Sequence, residues 1–187
     1  MVDVATHVRL GLEELASCLL TAGTCDDEPD ADAAGYWRLG APGDAPGDGA
    51  GDVLGILAVR RTASATRLPS GTVPPLRRVG DALRTAVPRL DDRAVAFQGC
   101  VLTTGDLLAT WAVELAVHQL DLAREVDVAV PDPRALVLAR RTVEALVGAR
   151  LPVDDDADAV LLGTGRRSPT PDERRQLGAS VEMLPAL

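Results

Sequence analysis

The sequence predicts a mainly helical protein, with a helical bundle over 1–130 and a small C-terminal α/β extension over 131–187. Three observations predict it. Apolar residues recur every three or four positions along most of the chain, the period of a half-buried helix. Aromatics make up only 2 % of the residues against an apolar fraction of 47 %, so the core is built from Leu, Val and Ala. Of these, Ala and Leu favour the helix while Val does not. Helix-boundary residues also stand where the periodic stretches begin and end. A chain of 187 residues fits one domain, or one domain with a small appendage.

The elements follow in order. Over Val2 to Leu20, the residues Val4, Val8, Leu12, Leu15 and Leu19 form one apolar stripe, which predicts an amphipathic helix. From Ala22 to Asp52 the period dissolves. TCDDEPDADAA is acidic but lacks the central Gly and twelfth-position Glu of a calcium-binding EF-hand loop. GAPGDAPGDGAGD has a flexible composition and reads as disordered rather than as an active-site lid. Asp52 to Ala65 and Pro74 to Val87 read as two more helices, with Pro74 and Pro75 suited to a first turn. Ala94 to Leu102 is a short extended stretch. Thr103 or Thr104 then caps a helix running to about Glu125, with Asp106 favourably placed in its first turn. Pro131 and Pro133 end the connection, and Pro133 to Val147 is a helix that Gly148 terminates. Ala159 to Leu162 reads as a short strand before GTGRR, and Thr170 to Leu177 as a last short helix.

Charge and cysteine content exclude several classes of function. The formal net charge is -9, whereas phosphate backbones bind basic surfaces, so no nucleic-acid partner is expected. Every basic residue is Arg, and Lys and Asn are absent, a bias expected of a GC-rich genome. Cys18, Cys25 and Cys100 lack both the pairing of a disulfide framework and metal-ligand spacing, so each reads as a small buried hydrophobe. No stretch approaches the roughly 20 apolar residues of a membrane span, so no membrane partner is expected. LASC at Leu15 to Cys18 looks like a lipoprotein cleavage site, but Asp3, Arg9, Glu13 and Glu14 interrupt the apolar run before it. A cytoplasmic location is therefore expected. GTGRR at Gly163 to Arg167 has neither the Lys of a phosphate-binding loop nor the spacing of a dinucleotide fingerprint.

The chemistry concentrates in TWAVELAVHQLDLA, Thr110 to Ala123, which is apolar nearly all round. Each residue turns a helix by about 100°, so Glu114, His118 and Asp121 fall within an arc of roughly 60°. Burying one such group without a partner costs kilocalories, so the cluster needs a reason. A divalent ion supplies one, because a carboxylate and an imidazole four residues apart converge on a point beside the helix. The only other histidine is His7, on the first helix and four residues after Asp3. His7, Glu114 and His118 make a set of two histidines and one carboxylate with coordination positions left open, the pattern of a catalytic zinc. Iron, cobalt or nickel would suit the same donors. Asp3 and Asp121 are placed to orient the imidazoles. The competing reading is a satisfied core, in which Glu114 and His118 pair with each other or with an Arg, and His7 is a surface residue.

With these residues in view, the chain resembles the mycothiol-dependent maleylpyruvate isomerase family, within the DinB-like superfamily of metal-binding helical bundles. VDVATHV at Val2 to Val8 is similar to that family's second helix, which carries its first metal histidine. VLTTGDLLATWAVELAVHQLDLA is similar to its later helix bearing the Glu and the second His, and VLLGTGRRSPTPDERRQLGASVEMLPAL to its C-terminal end. The resemblance implies His7, Glu114 and His118 as metal ligands. It also implies Zn2+ or another divalent ion as cofactor, and mycothiol, an actinobacterial thiol, as cosubstrate toward a small-molecule electrophile. The implied activity is isomerisation or S-transfer. Two features differ from the family: its first helix has no counterpart before Val2, and the C-terminal region is short. The first leaves a DinB-like bundle short of one helix, with three explanations open: a misassigned start, a domain built from fewer helices, or a partner chain that fills the gap; a homodimer is among the expected partners. The alternatives are a metal- or thiol-binding resistance protein without catalysis, an inactive truncated paralogue, and a hydrolase using metal-activated water. Arg166, in GTGR, is a candidate contact for an anionic substrate, beside the plainer reading of a surface arginine in a turn.

Overall fold

The computed structural model describes residues 2–23, 25–38, 59, 61–64 and 69–187. Among these the protein is mainly helical, with one two-stranded sheet. Its residues form two compact units, Met1–Asp32 with Gly40–Leu107 and Ala33–Leu39 with Leu108–Leu187.

The first unit is organised around α1, Val2–Leu20, whose stripe buries Leu12 and Leu15. It packs against α2, Val73–Ala86, where Pro74 and Pro75 occupy the first turn and Leu83 is buried. A hairpin completes the unit. Strand β1, Ala94–Phe97, pairs antiparallel with β2, Cys100–Thr103, and places Val95 opposite Leu102. Both of these are fully buried, as the alternation of a strand with one inward face requires. The two-residue turn needs positive φ at both positions, 45° at Gln98 and 86° at Gly99, and Gly99 meets that demand without strain. The irregular segment 25–32 is tied to the sheet through Asp30, which accepts a hydrogen bond from Val101 N at 2.9 Å. Cys100 is buried, whereas Cys18 and Cys25 are only half-buried.

Helix α3, Thr104–Ala123, supplies the second unit with its residues from Leu108 onward. Its start is fixed by a reciprocal pair, Asp106 N donating to Thr103 Oγ1 and that hydroxyl donating to the Asp106 carboxylate, each at 3.0 Å. Three helices follow, each opened by a side-chain cap: α4, Pro133–Val147, by Asp132; α5, Asp156–Gly163, by Asp155; and α6, Pro171–Leu177, by the Thr170–Glu173 capping box. Gly148, with φ of 71°, ends α4. Val113, Val117 and Leu120 of α3 share one core with Leu136 and Ala139 of α4 and Val160 of α5. A second cluster joins Val143 and Val147 to Ala159, Leu162 and Leu177.

Several expectations change. Ala159–Leu162 is part of α5, not a strand, so the C-terminal segment is helical rather than α/β. A short apolar run reads equally as a buried strand or a buried helix. The Asp155 cap and packing against α4 on one side select the helix. The two compact units divide within α3, and α3, α4 and α5 bury their apolar faces in one core. The stretch read as loop contains a short helix at Ala33–Arg38. Its Tyr36 is buried, its Trp37 packs on the core of the second unit, and Arg38 donates to the Ala145 carbonyl at 2.7 Å. The expected helix over 52–65 and the Gly/Asp-rich loop fall mostly outside the described residues, though Val59 and 61–64 are helical.

Two predictions follow from this packing. A Cβ added at the buried Gly163 would fall inside the side chain of Val143, which is itself fully buried. Gly163→Ala should therefore lower the unfolding free energy by about 1–3 kcal/mol in denaturant melts, as overpacking does; an unchanged midpoint would contradict this packing. The second concerns Arg167, which donates to both oxygens of Asp158 at 2.5 and 2.9 Å and to both of Glu173 at 2.9 and 2.8 Å. The guanidinium holds the Glu173 carboxyl down at about 2, from an ordinary 4.5. Because the folded value is depressed, the stabilisation is complete above the unfolded value and is lost as pH falls from about 4.5 toward 2. Glu173→Gln should flatten the stability profile across that window, measured as melting temperature against pH.

Candidate metal centre

The candidate site starts from the face of α3 that carries charge. Trp111, Glu114, His118 and Asp121 succeed one another along it at spacings of three and four, the positions that stack on adjacent turns. The opposite face, with Val113, Ala116, Val117 and Leu120, is committed to the core. The three ionisable groups are half-buried, held at the margin of that core.

Glu114 Oε1 lies 3.1 Å from His118 Nε2. On the other edge of the same ring, Nδ1 lies 3.5 Å from Asp121 Oδ2. The imidazole is thus sandwiched between two carboxylates of its own helix. Burial by itself disfavours the charged ring, but the Glu114 hydrogen bond and charge, with the Asp121 charge, outweigh it; they raise the His118 pKa against a smaller opposing effect of Arg166. Asp121 is held in turn by Arg166, whose Nε and Nη2 donate to its two oxygens at 2.7 and 2.9 Å. This is the side-on geometry in which a guanidinium binds a carboxylate most firmly.

The structure therefore brings together Glu114, His118, Asp121 and Arg166, all in the second unit. It gives Arg166 a task other than the expected contact with an anionic substrate: its fork is engaged by Asp121. His7 is half-buried on α1, in the first unit. Asp3 lies on the same helix, with its side chain outside what is described. The pairing of Glu114 with His118 is also what the satisfied-core reading expected, and the same two atoms are those an ion would take.

Sequence reasoning missed two features. The Arg166–Asp121 pair spans 45 residues of chain, and no local pattern signals a contact of that range. Trp111 is buried with its indole N–H lacking a hydrogen-bond partner. Its spacing already put it on the Glu114–His118 stripe, but a large aromatic there reads as core.

No protein-family model matches the chain, and neither a curated protein nor a solved structure matches it. Among the described residues, no helix is long and apolar enough to cross a membrane.

The electrostatics of the stripe can be read directly. With only two histidines in the chain, the His118 ring is separable by NMR. In metal-free protein it should titrate above the ordinary histidine value, and Glu114→Gln should move it down, because the substitution removes the main group favouring the charged ring. A midpoint that Glu114→Gln leaves in place would contradict the arrangement.

Proposed function

We propose that this protein is a DinB-like, metal- and mycothiol-dependent enzyme, an isomerase or S-transferase acting on a small electrophile. His7, Glu114 and His118 are its proposed ligands for one divalent cation. The observation that carries the reading is the convergence of Glu114 Oε1 and His118 Nε2 to 3.1 Å on a half-buried stripe, with Nδ1 turned toward Asp121. A metal-ligating histidine commonly directs its second ring nitrogen to a carboxylate, and Asp121 stands 3.5 Å from Nδ1, in ion-pair range. The mainly helical fold and the resemblance over α1, α3 and the C-terminal segment support the same reading.

The donor set fits the group. Two imidazoles and one carboxylate suit zinc, and three protein ligands leave a position for a thiol or a water. A bound divalent cation stabilises thiolate over thiol, which supplies the nucleophile at neutral pH. The chain's own residues do the rest. Glu114 contributes a negative charge that offsets the cation. Asp121 orients His118, and Arg166 holds Asp121 in place. Trp111, one turn before Glu114, supplies apolar surface and an indole N–H at the edge of the stripe.

Elemental mass spectrometry of purified protein tests the reading. About one equivalent of metal is expected in the parent, and almost none in His118→Ala or His7→Ala. Turnover of an activated double bond should then require the thiol. A parent that stays empty after exposure to zinc would overturn the proposal, and turnover without thiol would point to metal-activated water instead. Full metal occupancy without turnover would leave a binding protein.

A further inference from the structure

Arg166 reaches back to α3 from the turn that follows α5, and it is not free to swing. Its Nη1 donates to the Thr164 carbonyl at 3.2 Å, and its own carbonyl accepts from Arg124 Nη1 at 3.1 Å. The turn beneath it is closed by Thr164 Oγ1 donating to the Val160 carbonyl at 2.7 Å and by Ala186 N donating to the Gly163 carbonyl at 2.8 Å. Gly165, at φ of 69°, lies under Pro185. The C-terminal residues thus clamp the turn, the turn fixes the guanidinium, and the guanidinium grips both oxygens of Asp121.

We propose that Arg166 is a positioning residue for His118, which it fixes through Asp121 in the tautomer that presents Nε2 to the cation. The inference rests on the reading of Glu114 and His118 as ligands given above. A neutral imidazole carries one proton, and the nitrogen that binds an ion must be bare, so the proton must sit on the other. Two acceptors compete for it here. Glu114 Oε1, hydrogen-bonded to Nε2 at 3.1 Å, favours the wrong tautomer, whereas the charge of Asp121 Oδ2, in ion-pair range of Nδ1 at 3.5 Å without a hydrogen bond between them, favours the right one. Asp121 is the more distant of the two, so its effect depends on being held. Arg166 does this with two hydrogen bonds, one to each oxygen.

The test is the zinc dissociation constant of the full chain, measured by chelator competition. Arg166→Met should weaken binding roughly 10- to 100-fold, the usual effect of removing a group that orients a ligand. Arg166→Lys should recover only part of the loss, since a point charge does not hold both oxygens. In an Asp121→Asn background, Arg166→Met should add nothing. Arg167→Met is the control: it breaks a denser ion-pair cluster in the same turn, so it should lower the melting temperature while leaving zinc affinity unchanged. A folded Arg166→Met protein that binds zinc like the parent would overturn the proposal, as would an equal loss in Arg167→Met. If Arg166→Met fails to fold, Asp121→Asn with Arg166 intact carries the test, and parental affinity there overturns it. A parent that takes up no zinc sinks the metal reading, and the relay is then judged separately. Nitrogen shifts of His118 in metal-free protein, recorded above the ring's titration, should move from the Nδ1–H toward the Nε2–H form in Arg166→Met. Unmoved shifts overturn the proposal.

Discussion

The placement of three ionisable side chains on one face of α3 constrains everything around it. The opposite face supplies the core of the second unit, so the helix cannot rotate to give Glu114, His118 and Asp121 to water without withdrawing Val113, Val117 and Leu120 from apolar contact. Burying a Val or Leu side chain is worth about 1.5–3 kcal/mol. A rotation would therefore forfeit several kilocalories, and the polar groups must instead be satisfied where they stand. Part of the solution is internal to the helix, since the imidazole lies between two carboxylates. The remainder is imported, because Asp121 has Arg166 as its counterion.

That import ties the site to a part of the chain remote in sequence. The segment from Gly163 to Arg167 is shaped by tertiary contacts on both sides: Gly163 is admitted against Val143 only because it lacks a side chain, and Arg167 is locked between Asp158 and Glu173. Two adjacent arginines thus divide the work. Arg167 staples α5 to α6, while Arg166 faces the candidate site. A partly exposed ion pair contributes little net stability, which makes the half-buried Asp121–Arg166 pair easier to understand as a device that holds geometry than as one that holds the fold.

Much of the architecture was legible along the chain because the signals are local. The span of α1 follows from its apolar stripe, that of α4 from Pro133 and Gly148, and that of α6 from the run Thr170 to Leu177; each signal lies within the element or at its boundary. The shared face of Glu114, His118 and Asp121 was readable for the same reason, since helical geometry alone fixes it. The Ala33–Arg38 helix was not, because six residues within an acidic, Gly-rich neighbourhood owe their helicity to the burial of Tyr36 and the packing of Trp37 on the core. Nor was α5, where the run AVLL fits either structure until a neighbour selects one.

The sequence by itself determined which donors exist and which of them share a helix face: two histidines in the whole chain, one of them four residues from a glutamate on an apolar helix. Only the tertiary structure decided the partner of Asp121 and hence the task of Arg166. The physical reason is range. Helical periodicity and capping act over a few residues, whereas a bidentate ion pair across 45 residues exists only once the intervening helices have packed.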